Sequence, residues 1–126
     1  VAKRRLDDTN VEAHDLVGNV EGRSVLLVDD MTESAGTILT AARLCREHGA
    51  TRVRAAVSHG VLNETGYKRL ADQDALEELI VTNSTPVDES KLPILRVVDV
   101  APHLGEAMLR INNHLSVTSL FKIKGY

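Results

Sequence analysis

Short β-branched runs alternate with helical patterns along this chain, the form that βαβ units feeding a mostly parallel sheet leave in a sequence. Val25-Leu26-Leu27-Val28 is an unbroken apolar run ahead of Asp29-Asp30. Without polar alternation, such a run predicts a central strand buried on both faces. Over 37–48, Ile38, Ala41, Ala42 and Cys45 recur at i, i+3, i+4 and i+7, and Gly49 follows as a terminator, so the spacing predicts a helix. Residues 53–58 read as the next strand, 64–71 as a short helix and 79–82 as another strand. The polar stretch 83–91, with Pro86 and Pro93 near its ends, reads as loop, and 94–98 as a further strand. Over 101–114, Leu104, Ala107, Met108 and Ile111 share one face of a closing helix, with Pro102 tolerated in its first turn. Asn19-Val20-Glu21-Gly22 reads as a turn, and the pattern over 6–19 selects no element.

At 126 residues the chain is one domain by length. Apolar residues at 43% and charged residues at 26% are ordinary for a folded globular protein and far from a disordered composition. A formal net charge of −3, with basic residues scattered apart from Lys3-Arg4-Arg5, leaves no basic stripe for a duplex. Phe121, Tyr67 and Tyr126 are too few for a base-stacking platform, so nucleic acid is not an expected partner. No apolar run reaches membrane-spanning length, and a membrane is not an expected partner either. The lone Cys45 within a helical apolar pattern reads as a small buried hydrophobe in a reducing compartment, and the expected location is the cytoplasm. Val1 in place of Met, followed at once by charges, leads us to expect that the N-terminus is a cut end.

Candidate chemistry concentrates in Val25 to Thr37, VLLVDDMTESAGT: strand, acidic pair, short loop with Gly36, helix start. In open α/β sheets, ligands bind beyond the carboxyl ends of strands, and a helix N-terminus offers unpaired N–H groups and a favourable dipole to an anion. Ser34 and Thr37 add hydroxyls, while Ala35 and Gly36 leave the backbone uncovered for close approach to a phosphate. Asp29 and Asp30 remain to accept hydrogen bonds from sugar hydroxyls or to hold a metal-bound water. The bland alternative is that the acidic pair ends a strand and Ser34 caps a helix. No Gly-Lys-Ser/Thr follows and only one glycine is present, so neither a nucleotide P-loop nor a dinucleotide fingerprint is in play. A response-regulator receiver also begins with a strand, an acidic pair and a helix. It would need an acid where Ser58 or Asn83 stands and a later Lys-Pro, and the chain has neither.

LLVDDMTESAGT resembles the phosphoribosyl-pyrophosphate signature of phosphoribosyltransferases and ribose-phosphate pyrophosphokinases. Lys3-Arg4-Arg5, 16–22, 79–84, Arg110-Ile111-Asn112-Asn113 and 116–121 are similar to the second family, in its order and spacing. The resemblance implies an α/β domain of type I phosphoribosyltransferase-like (Rossmann-like) class, with a mostly parallel sheet flanked by helices. The whole chain, 1–126, would be the C-terminal domain, without the family's N-terminal domain.

It also implies an activity: transfer of diphosphate from ATP, with Mg2+, to ribose 5-phosphate, expected to be absent in this chain alone. By family position, Lys3 and Arg5 are the implied catalytic cations, and Asp29, Asp30, Glu33, Ser34, Ala35, Gly36 and Thr37 the implied ribose 5-phosphate cradle. Ser116, Thr118 and Phe121 fall in an implied regulatory segment, and a homo-oligomer, commonly a hexamer, is the implied assembly. The chain departs from the pattern at Glu33-Ser34, where Asp-Thr is usual, over 63–68, and after Arg5. A phosphoribosyltransferase and a non-catalytic regulatory homologue are the alternatives. The five histidines show no metal-ligand spacing, and no protein metal ligand is assigned; His59 is the one expected near the carboxyl edge.

Overall fold

The computed structural model describes residues 2–4 and 13–121, with side chains from Leu16 onward. Two three-residue strands, β1 (Ala2–Arg4) and β2 (Ala13–Asp15), pair antiparallel, with Lys3 opposite His14. The main sheet has four parallel strands, β3 (Ser24–Thr32), β4 (Arg52–Gly60), β5 (Glu78–Thr82) and β6 (Leu95–Val98), in the order β3-β4-β5-β6. Helix α1 (Gly36–Glu47) joins β3 to β4, and α2 (Glu64–Ala71) joins β4 to β5. Helix α3 (Ala101–Asn112) follows β6, and short 3-10 turns occupy Glu89–Lys91 and Thr118–Phe121. The expected α/β architecture with a parallel sheet is present, and α2 has the predicted bounds.

The core lies on one face of the sheet. Strand alternation turns Val53, Ala55 and Val57 of β4, Leu79 and Val81 of β5 and Leu95 of β6 toward Ile38, Leu39, Ala42 and Cys45 of α1 and Leu70 of α2. Burial pushes the Cys45 thiol pKa up, as suits a packed hydrophobe. Helix α1 ends where Gly49 takes φ 84, a conformation open to glycine at little cost. Arg46 fastens that end by donating to Thr51 O at 2.6 Å, Ala75 O at 3.0 Å and Glu77 Oε1 at 3.0 Å.

Two expectations are corrected. The run 25–28 lies on β3, which is an edge strand among the described residues and not a central one. Its apolar run is not buried on both faces, since Leu26 and Val28 are 56% and 77% exposed. An unbroken apolar run shows that both faces of a strand tolerate burial, but a strand at the end of the order, with helices on one face, leaves the other open. Helix α3 has the predicted amphipathic pattern and buries none of its residues; Leu104, Met108 and Ile111 are exposed. A turn does form at 20–23, with Arg23 N–H donating to Val20 O at 3.0 Å, while β2 arises in the stretch that selected no element.

Candidate functional site

Strand β3 runs through Asp29 and Asp30 to Thr32, so the acidic pair lies inside the strand near its carboxyl end, not beyond it as the sequence pattern suggested. Each carboxylate turns back on the chain: Asp29 Oδ1 accepts from Asp30 N–H at 3.0 Å, and Asp30 Oδ1 accepts from Met31 N–H at 2.7 Å. One oxygen of each is thereby used, and both residues stay exposed to an incoming group. Among the described residues, no cluster of three or more carboxylates, imidazoles or thiols could hold a metal ion.

The loop from Glu33 to Ala35 carries the decisive geometry. Ala35 is the N-cap of α1, at φ 57 and ψ 7, and no described side chain caps the helix. A non-glycine residue in the left-handed region costs on the order of 1 kcal/mol, and it persists where the surroundings or a function require it. Ser34 therefore does not cap α1, contrary to the bland reading. The backbone N–H groups over 33–38 donate to no acceptor among the described residues. A left-handed residue leading into a right-handed helix gathers successive N–H groups into an anion-binding concavity, and the helix dipole adds to its positive potential.

Two clefts flank the first turn of α1. One of about 390 Å³ brings Asp29 together with Thr37, Ile38 and Ala41. The other, about 450 Å³, is lined by Ser34, Gly36, Thr37, Thr40, Arg43 and Arg69. Thr37 faces both, so the sequence-selected acid, hydroxyls and amides share one end of the sheet. Glu33 is engaged differently: Asn63 Nδ2 donates to its Oε1 at 3.1 Å, so the two places set apart in the sequence, Glu33 and the 63–68 stretch, meet in space.

At the same sheet edge, His59 pairs in register with Met31. Its Nδ1 lies 2.8 Å from Ser84 Oγ, and Thr82 Oγ1 donates to Ser58 O at 2.7 Å, so His59 belongs to a hydroxyl network at the strand ends. Asp99, after β6, accepts from Ala101 N–H at 2.9 Å and from Asn83 Nδ2 at 2.6 Å, and these bonds hold its pKa below the usual 3.8. Ser116 Oγ donates to Thr118 Oγ1 at 3.1 Å, Arg110 ties this turn to α3 by donating to Ser116 O at 3.1 Å, and Phe121 is exposed. Lys3 is on β1, without a described side chain, and Arg5 lies outside the described residues. Residues 6–12 and 122–126 are likewise outside them.

Arg69 is the residue sequence reasoning missed. Its side chain reaches from α2 to Ser34 O at 3.3 Å. It stands at i+6 from the N-cap Asn63, and only the packing of α2 beside the loop gives that spacing a meaning.

Residues 9–122 match the family model described as phosphoribosyl synthetase-associated domain. The chain is 42% identical over 123 residues to a ribose-phosphate pyrophosphokinase of Prochlorococcus marinus subsp. pastoris (strain MED4), covering 97% of this chain and 37% of that protein. It is 41% identical over 121 residues to a ribose-phosphate pyrophosphokinase of Aquifex aeolicus, covering 96% and 39%. It thus spans well under half the length of these relatives. The crystal structure of phosphoribosylpyrophosphate synthetase from Mycobacterium smegmatis superposes with a TM-score of 0.72 at 40% identity, over 78% of this chain and 33% of that one.

Proposed function

Because this chain belongs to the phosphoribosyl synthetase-associated domain family, we propose that it supplies the ribose 5-phosphate side of a ribose-phosphate diphosphokinase. In that reaction the anomeric hydroxyl of ribose 5-phosphate attacks the β-phosphorus of ATP, the diphosphoryl group is transferred, AMP leaves and phosphoribosyl pyrophosphate is formed. The observation that carries the reading is the uncapped start of α1: left-handed Ala35, with the N–H groups over 33–38 unused by the described protein. A phosphate monoester matches it in charge and in its need for several donors. Ser34, Gly36 and Thr37 complete the phosphate cradle, and Asp29 and Asp30 accept from the sugar hydroxyls. Glu33 keeps Oε2 for the substrate while Oε1 is held by Asn63.

Transfer of a diphosphoryl group demands alignment and positive charge, which Lys3 and Arg5 contribute in this reading. Magnesium, bound with ATP, would neutralise further charge on the moving group. Either Asp29 or Asp30, each with one carboxylate oxygen not bonded within the described chain, would suit such an ion, because Mg2+ is commonly held by one or two carboxylates, with substrate phosphates and water completing its shell. The same reading makes Ser116, Thr118 and Phe121, by family position, part of a regulatory segment. It further makes the assembly a cytoplasmic homo-oligomer, and turnover dependent on the remainder of a longer protein.

Titration of ribose 5-phosphate into the chain, followed calorimetrically, tests the site. Wild type binds, and Asp30→Ala and Thr37→Ala each weaken binding by about ten-fold, the loss of one or two hydrogen bonds to a charged ligand. Equal affinity in all three proteins refutes the assignment.

A further inference from the structure

Helix α2 touches the 33–36 loop along one stripe, Asn63, Gly66 and Arg69, spaced three residues apart on the helix face. Asn63 N–H donates to Glu33 O at 3.2 Å, and Arg69 Nη1 donates to Ser34 O at 3.3 Å. Just upstream, Val61 N–H donates to Thr32 O at 3.0 Å. Between these anchors Gly66 lies so close that an added Cβ would stand 2.3 Å from Glu33 O. Three successive carbonyls, those of Thr32, Glu33 and Ser34, are therefore all drawn toward the segment that leads from β4 into α2.

In a trans peptide the C=O and the following N–H point in opposite directions, and the described chain has no cis bond. Drawing those three oxygens toward α2 turns the N–H groups of Glu33, Ser34 and Ala35 away from it.

We propose that Arg69, with Asn63, is a positioning residue of the phosphate site: α2 grips the carbonyl side of the loop and thereby aims its amides at the phosphate. The inference rests on the sugar-phosphate reading for the identity of the ligand, but the aiming itself is a property of the unliganded chain. Among the described residues, two of the three carbonyls are held by backbone donors, and Arg69 supplies the one hydrogen bond from a side chain to a loop carbonyl. Its guanidinium also brings a positive charge close beside Gly36, where an added Cβ would lie 3.1 Å from Nη1.

The test is made on the 15N-labelled chain. Amide residual dipolar couplings in the absence of ligand report the directions of the Ser34 and Ala35 N–H bonds. Arg69→Ala changes those couplings and leaves those of β4 and α1 at wild-type values, and Arg69→Lys, which keeps a cationic donor, restores them. Unchanged couplings at 34 and 35 in Arg69→Ala overturn the proposal whether or not a ligand binds. Titration with ribose 5-phosphate then reads affinity: Arg69→Ala binds about ten-fold more weakly, the order expected when one misaimed amide no longer donates to a charged ligand, and Arg69→Lys recovers most of the loss. Altered couplings with wild-type affinity also overturn it. Failure of wild type to bind ribose 5-phosphate, with the couplings altered as described, refutes the ligand assignment and leaves the aiming of the amides supported.

Discussion

Helices α1 and α3 are each twelve residues long and both amphipathic, yet they meet opposite fates. Helix α1 buries Ile38, Leu39, Ala42 and Cys45 against β3, β4 and α2, whereas α3 leaves Leu104, Met108, Leu109 and Ile111 exposed. The period of an apolar stripe states which side of a helix can be buried; what buries it depends on where the chain leads next. Residues 48–51 turn the chain back so that β4 pairs with β3, which lays α1 across the sheet. Helix α3 follows the last strand of the order, with no described strand after it to fold it back. The sheet faces differ in the same way, one lined with Val53, Ala55, Leu79 and Val81, the other presenting Leu26, Val28 and Val98 beside Arg54, Glu78 and Arg96.

The sharpest test of this contrast is truncation at equivalent apolar positions. Leu39→Ala is expected to cost about 2–5 kcal/mol, because a cavity is added to lost burial. Met108→Ala is expected to stay within about 0.5 kcal/mol, as for an exposed side chain. Urea melts of the two variants measure both, and a comparable loss in Met108→Ala would show that α3 is packed in solution. Next in size is Gly66→Ala, expected to cost about 1–3 kcal/mol as an overpacking change, with the largest amide shifts at Glu33 and Ser34. Gly105→Ala on α3, where an added Cβ meets nothing within 4 Å, is expected to be stabilising by up to about 1 kcal/mol.

A smaller effect separates the two ends of the sheet by pH. The hydrogen bond from Arg52 lowers the Glu77 pKa below its usual 4.5, Arg46 adds to this, and partial burial opposes it. A carboxylate whose folded pKa is depressed stabilises the fold above its unfolded value, and that contribution is lost as pH falls through the folded pKa. The melting temperature of wild type should therefore exceed that of Glu77→Gln at neutral pH, and the gap should close in acid below 4.5. A gap that persists at low pH would show that the ionised carboxylate is not the cause.

Much of this protein could be read from local pattern. The order of strands and helices, the span of α2, the Gly49 stop and the burial of Cys45 all follow from side-chain period and backbone preference, which act over a few residues. The acidic pair and the Ser-Ala-Gly-Thr loop could be selected for the same reason, since strand, loop and helix start are contiguous in the chain. Arg69 could not be selected, and Asn63 stood out only as part of a departure from the family pattern, because their meaning comes from a loop some thirty residues away.

The one-dimensional pattern thus determined the α/β class, the elements and the position of the loop proposed to hold phosphate, through preferences that need no distant partner. Tertiary structure alone decided that β3 is an edge strand, that α3 is uncovered and that α2 holds the carbonyls of the loop. Strand order and the direction of a peptide plane are set by contacts between segments far apart in the chain, and no local periodicity encodes them.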